Sequence, residues 1–336
     1  MRSLVLVPIF AAIRDRIEKG RESTRGWADT LKLVAQKGFI AVDYMVAPRS
    51  AVIAVTFCLL APACANAQGA VQDAAQNVVQ DAPVVLAPHR AVYDLTLEQT
   101  RGNSQVAGVR GRILYDFDGN ACDGYSLEFR QVSQLDSGED SESTNDQRST
   151  TWEDAGAKSF KFTSQNFIND KLTDAVDGHA QRGEAGTAVD LTKPEQKTLD
   201  VDAKVVFPTE HMVRVIEAAR AGKTILEFPV YDGSDTGQKV FDTLTVIGRK
   251  IAPNERQHDD AAANDGKLAA IARWPVTISY FDKSKKSENN EQTPAYAIGF
   301  ELYENGISRA LALDYNDFVV AGKLSSLELK EPKPCP

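Results

Sequence analysis

Apolar and polar residues alternate with period two through much of this chain, and that pattern commits it to half-buried β-strands. Tyr93, Leu95 and Leu97 face one way while Asp94, Thr96 and Glu98 face the other. Tyr125, Leu127 and Phe129 are likewise interleaved with Ser126, Glu128 and Arg130. The same pattern returns as Phe160 and Phe162 around Lys161, as Val276, Ile278 and Tyr280 around Thr277 and Ser279, and as Ile298, Phe300 and Leu302 beside Gly299 and Glu301. Asn305-Gly306, ahead of Leu311, Leu313 and Tyr315, predicts a two-residue hairpin turn, because both residues tolerate positive φ. Gly119-Asn120, Asp123-Gly124, Asp177-Gly178 and Asp232-Gly233 supply further turn signals. A mainly β, antiparallel domain follows.

One helix interrupts the strands. It opens on Pro208-Thr209-Glu210, carries Met212, Val215, Ile216 and Ala219 at helical spacing, and stops at Gly222. Glu210 near its start and Arg220 near its end suit the helix dipole. Such a helix amid strands is expected to pack on a sheet face or plug a barrel mouth. Ser133 to Ser149 and Pro253 to Lys267 are polar and lack apolar periodicity, so they are expected to be exposed loops or disordered inserts.

The N-terminal region divides by processing rather than by fold. Residues 1–44 carry mixed charge, including Arg14-Asp15-Arg16, and read as an upstream extension of the true start at Met45. Residues 45–67 have the order of a signal peptide: Arg49, then an apolar run from Ala51 to Ala61, then Ala65-Asn66-Ala67. Cleavage is expected after Ala67, delivering the protein to the periplasm. The run is shorter than the roughly 20 apolar residues of a bilayer span and is broken by Pro62, so no transmembrane anchor is expected. A lipid anchor on Cys64 is opposed by Ala61, where a larger aliphatic residue is usual. Residues 68–87 read as a flexible lead-in, and 88–336 as a single β-rich domain.

Cleavage changes both the charge and the thiols. Losing the nine Lys/Arg and five Asp/Glu of residues 1–67 takes the net charge from -9 to -13, which disfavours nucleic acid and anionic lipid surfaces. Cys58 and Cys64 leave with the signal, and only Cys122 and Cys335 of the four cysteines remain. In an oxidising compartment they are expected to pair; two reduced, buried thiols are the alternative.

Catalytic constellations are missing from the sequence. His89, His179, His211 and His258 have no second histidine at i+3 or i+4, so no zinc site is indicated. Asp116-Phe117-Asp118-Gly119-Asn120 imitates the start of an EF-hand loop, but Ala121 and Leu127 stand where Gly and Glu are required. Asp235-Thr236-Gly237 copies an aspartic-protease triplet without a second copy. Neither a nucleophile elbow, nor a phosphate-binding loop, nor a dinucleotide fingerprint occurs, so no enzyme activity and no cofactor are expected.

Several strings become informative in combination: Ala87-Pro88-His89-Arg90-Ala91-Val92-Tyr93-Asp94-Leu95, Cys122-Asp123-Gly124-Tyr125, Tyr231-Asp232-Gly233-Ser234-Asp235, Lys239-Val240-Phe241-Asp242 and the terminal cysteine. In this order the chain resembles the EipB family of periplasmic cell-envelope integrity proteins of alphaproteobacteria, over Pro88 to Cys335. The resemblance implies a strongly curved antiparallel sheet, a β-spiral or broken barrel, with one or two helices packed on it. It also implies a Cys122–Cys335 disulfide. His89, Arg90, Tyr93, Asp232, Gly233, Ser234 and Asp235 then count as family-signature residues without assigned chemistry. His89 and Arg90 could bind an anion, but strand-end structure is the plainer role, and a tight turn is the plainer role of Asp232 to Asp235. The leading expectation is a non-enzymatic periplasmic factor that supports envelope integrity through a protein partner. A carrier of a lipid or other hydrophobic ligand in the curved sheet is the alternative, and an envelope hydrolase the lesser one.

Overall fold

The computed structural model describes residues 82–138, 142–255, 260, 262, 266–284 and 292–335. The extension 1–44, the signal segment 45–67, most of the lead-in and His258 lie outside the described residues.

The strands are β1 (His89–Thr100), β2 (Gly108–Asn120), β3 (Gly124–Asp136), β4 (Glu142–Glu153), β5 (Ser159–Ile168), β6 (Lys171–Arg182), β7 (Thr187–Lys193) and β8 (Lys197–Val201). After helix α1 (Pro208–Arg220) come β9 (Ile225–Val230), β10 (Phe241–Ile247), a short helix α2 (Gly266–Ala269), β11 (Arg273–Asp282), β12 (Tyr296–Tyr303), β13 (Ser308–Asp314) and β14 (Phe318–Leu329). Among the described residues these make one 14-stranded sheet in the order β8-β7-β6-β5-β4-β3-β2-β1-β14-β13-β12-β11-β10-β9, with every neighbour antiparallel. Two meanders, β1–β8 and β9–β14, are thus joined side by side through the first and last strands.

The sheet is strongly curved but does not close into a barrel. Tyr231, which follows edge strand β9, packs edge-on against Phe160 and Phe162 of β5, far away in the strand order. A flat sheet could not make that contact. Inward residues of β1, β2, β3 and β10–β14 form the larger core with Met212, Val215, Ile216 and Ala219 of α1. Each fully buried side chain of this size is worth roughly 1.5–3 kcal/mol, so α1 is held by its apolar face more than by its helix propensity. A second core gathers Phe160, Phe162, Val176, Ala180, Val189 and Leu191 of β5–β7 around Phe207 and Tyr231.

Several local expectations need correction. Of Ser133–Ser149, residues 133–136 end β3 and residues 142–149 begin β4, and the two strands pair in register from Tyr125↔Glu153 to Asp136↔Glu142. The lack of apolar alternation there arises because both faces of β4 are polar. Within Pro253–Lys267, the described Asp260 is buried and bonded to the buried Arg309 at 3.1 Å, and Leu268 just beyond is fully buried. Packing also starts before Pro88: Val84 and Leu86 are buried, and the Leu86 N–H meets the Tyr125 hydroxyl. The turn between β12 and β13 spans Glu304 to Ile307, closed by the Tyr303 N–H on the Ile307 carbonyl at 2.8 Å, and only Gly306 has positive φ there.

Candidate functional site

The strand-end residues of the signature are structural. His89 is buried, stacks on Tyr115 with ring centroids 5.1 Å apart, and donates from Nδ1 to the Ala87 carbonyl at 2.7 Å. Arg90 pairs with Asp116, and the Tyr93 hydroxyl donates to the Ser308 carbonyl at 2.9 Å, linking β1 to β13. The calcium-like Asp116 and Asp118 are met by Arg90, Lys330 and Lys333. Among the described residues no group of three or more His, Cys, Asp or Glu could hold a metal.

Cys122 lies in the turn between β2 and β3, shaped by Asn120, whose Oδ1 accepts from the N–H groups of Cys122 and Asp123 at 2.8 Å each. Cys335 lies beyond β14, and the two sulfurs are bonded, with Cα atoms 5.7 Å apart and a sequence separation of 213. Lys330 on Asp116 and Lys333 on Asp118 fasten the same tail electrostatically.

Asp232 to Asp235 belong to a loop that presses on β5–β7. Gly233 has φ +67°, and a Cβ there would fall 2.3 Å from the Phe162 ring. Asp232 Oδ1 accepts from the Ser234 N–H at 2.9 Å, and the Tyr231 hydroxyl donates to the Gly237 carbonyl at 2.7 Å. Burial pushes the Asp232 carboxyl up to about 7. Asp235 pairs with Lys239, which also reaches Asp282 at 3.1 Å.

Other buried ionisable groups lie at helix α1 and on β4, β11 and β13. Helix α1 has no Ser, Thr, Asp or Asn at its N-cap; Glu153 of β4 takes that part instead, accepting from the Thr209 and Glu210 N–H groups at 2.7 and 2.8 Å. Burial raises the Glu153 carboxyl to about 8 against the pull of those bonds, and burial holds His211 down to about 3. Arg273 and Arg309 share Glu301 at 2.8 and 3.7 Å. None of these groups forms a nucleophile–base pair with its neighbours.

What the sequence reading missed lies on the inner face of β3, β4 and β5. Between the apolar Phe129 and Leu135, β3 turns Gln131 and Ser133 inward. Ser133 stands opposite Asn145, Gln131 opposite Gln147, and Phe129 opposite Ser149. Gln147 stands opposite Asn166 of β5. The result is a contiguous block of neutral amides and hydroxyls on the inner face. Gln131, Ser133, Asn145, Ser149 and Asn166 are all buried, and their side-chain nitrogens and oxygens have no hydrogen-bond partner among the described residues. Each such group costs about 1–3 kcal/mol when left unmatched, and groups of this kind are ordinarily met by ordered water in a protein interior. On the opposite face, Asp146 bonds both Arg130 and Arg148 at 2.8 and 2.7 Å, leaving that side charged and satisfied. The outer face also bears a shallow groove of about 280 Å³ over β4–β6, flanked by Arg148, Gln165, Asp177 and Lys193.

Comparison with known proteins agrees with this architecture. A family model described as EipB-like matches residues 80–331. The cell envelope integrity protein EipB of Brucella abortus (strain 2308) is 40% identical over 246 residues, covering 73% of this chain and 85% of that protein. A crystal structure of a beta-barrel-like protein of the domain of unknown function DUF1849, also from Brucella abortus, matches with a TM-score of 0.68 and 39% identity, over 73% of this chain and 99% of that one. With its open, curved antiparallel sheet and a match over most of its length, the chain belongs to the EipB-like family.

Proposed function

We propose that this chain works in the periplasm as a non-enzymatic factor that supports the cell envelope by holding a protein partner. The name of the Brucella relative supports the envelope role, and the leader-like order of residues 45–67 supports export. The commitment of Glu153, Asp232, Arg273 and Arg309 to structural contacts supports a role without chemistry of its own.

The observation that carries the partner reading is an apolar pair at the open end of the sheet. Ile225 of β9 and Val246 of β10 stand directly opposite each other and are 62% and 46% exposed. No strand lies beyond β9 among the described residues; only Val206 bridges to it, at Val230. Two large neighbouring apolar side chains beside unpaired strand backbone suit an extended segment of a partner protein laid along the edge. The alternative of a wholly hydrophobic ligand inside the sheet is less favoured, because the block on β3–β5 is polar.

The test combines Ile225→Lys with Val246→Lys in the full chain. The double variant should melt like the parent yet fail to restore detergent resistance to a strain lacking the gene, and a photocrosslinker at position 225 should label one protein in the parent background. Full restoration by the double variant refutes docking at this edge.

A further inference from the structure

We propose that the segment received at β9 pairs with Ile225 and Glu227 and carries an apolar and a basic residue two positions apart, in either order; this rests on the docking reading above and specifies its partner. The backbone fixes the register. The Pro229 carbonyl accepts from the Val206 N–H at 2.8 Å and the Tyr231 N–H donates to the Val206 carbonyl at 3.0 Å, so residues of this parity turn their main-chain groups away from β10. Main-chain direction alternates along an antiparallel strand, so Ile225 and Glu227 turn theirs the same way. Beyond Glu227 the edge is shut, because Val206 covers it and Pro229 has no N–H to give. Before Ile225, the Lys223 N–H is taken by the Ala218 carbonyl of α1. The open stretch is therefore short and offers both main-chain groups of Ile225 and of Glu227.

The side chains set the chemistry of what pairs there. Ile225 and Val246 form a pair without mutual hydrogen bonds, the kind in which cross-strand side chains stand closest, and both are exposed. Glu227 lies two positions on, on the same face; it is exposed and forms no ion pair among the described residues, and Leu244 opposite it is uncharged. An added strand must set one residue against Ile225 and another, two positions away, against Glu227. An opposite charge facing Glu227 is favoured and a like charge is penalised. The chain's own lead-in does not meet this demand, since residues 68–81 contain no Lys or Arg and include Asp73 and Asp81. The other edge of the sheet is different: on β8, Lys197 and Asp200 are exposed while Leu199 and Val201 are half-buried, the charged character that deters pairing.

The experiment selects a displayed library of nine-residue segments, with Thr alternating with randomised positions, against the full chain and against Glu227→Lys. The parent should enrich segments that carry an aliphatic residue with Lys or Arg two positions away about threefold or more over those with Asp or Glu there. Glu227→Lys should invert that preference while melting with the parent. Where Glu227→Lys does not fold, Glu227→Gln should abolish the preference. Aliphatic segments enriched without a charge preference, or a preference unchanged in the folded variants, overturn this proposal and leave docking at the edge standing. Failure to enrich any segment over the Ile225→Lys, Val246→Lys double variant removes docking and this proposal together. Self-association of the parent in sedimentation that the double variant loses gives the edge to a second copy and likewise overturns it.

Discussion

Replacing Cys335 with Ser tests how far a single covalent tie stabilises the sheet. The bond closes a loop with a sequence separation of 213, and in the chain-entropy model such a closure is worth about 5 kcal/mol, acting through the unfolded chain. The folded variant should keep its architecture, because β14 still pairs with β1 from His89↔Leu329 to Thr100↔Phe318 and Lys330 still reaches Asp116. For a domain of this size each kcal/mol moves the melting temperature by about 2–4 °C, so the variant should melt about 10–20 °C lower. Both proteins should be the exported form lacking residues 1–67, in which the tested pair are the only cysteines. In calorimetry, adding reductant should bring the parent down to the variant and leave the variant where it was. A parent indifferent to reductant, or a variant melting with the parent, refutes the reasoning.

Two further outcomes follow from buried groups. The Glu153 carboxyl has an ordinary value of 4.5 that burial raises to about 8, so between those limits the fold retains a proton the unfolded chain has released; stability is full below that ordinary value and declines as pH rises toward about 8. Asp232, raised to about 7, acts in the same direction. Glu153→Gln should flatten its share of this decline in urea titrations across that window, and an unchanged slope would remove Glu153 as its source. Gly233→Ala places a Cβ 2.3 Å from the Phe162 ring at φ +67° and should cost about 2–4 kcal/mol. Phe162→Leu in the same chain should recover part of that loss, and a melting temperature unmoved by Gly233→Ala would contradict the tight contact.

Legibility in the sequence tracked the chemistry of the inward face. Where that face is apolar, as at Tyr93 and Leu95 or at Val276, Ile278 and Tyr280, the alternation was plain, and these residues are core members. Helix α1 was equally plain from Pro208 and its apolar stripe, but the group that satisfies its first N–H bonds, Glu153, lies on a distant strand and left no local signal. The short strands β7 to β9 escaped because turn-forming residues crowd them, and Asp177-Gly178 proved to be a register shift inside β6 rather than a turn. β4 shows no alternation of apolar with polar residues; its period is written in two kinds of polarity, neutral Asn145, Gln147 and Ser149 alternating with charged Asp146 and Arg148.

The strand order carries a consequence for biogenesis. Because β1 and β14 meet in the middle of the sheet, a polypeptide emerging N-terminus first must hold β1 as a bare edge until its last strand is delivered. Truncation near the C-terminus would therefore not trim a rim but split the sheet at its centre. During that interval the nascent chain is open to pairing with another copy of itself, and a holding chaperone at β1 would protect it at its most vulnerable point.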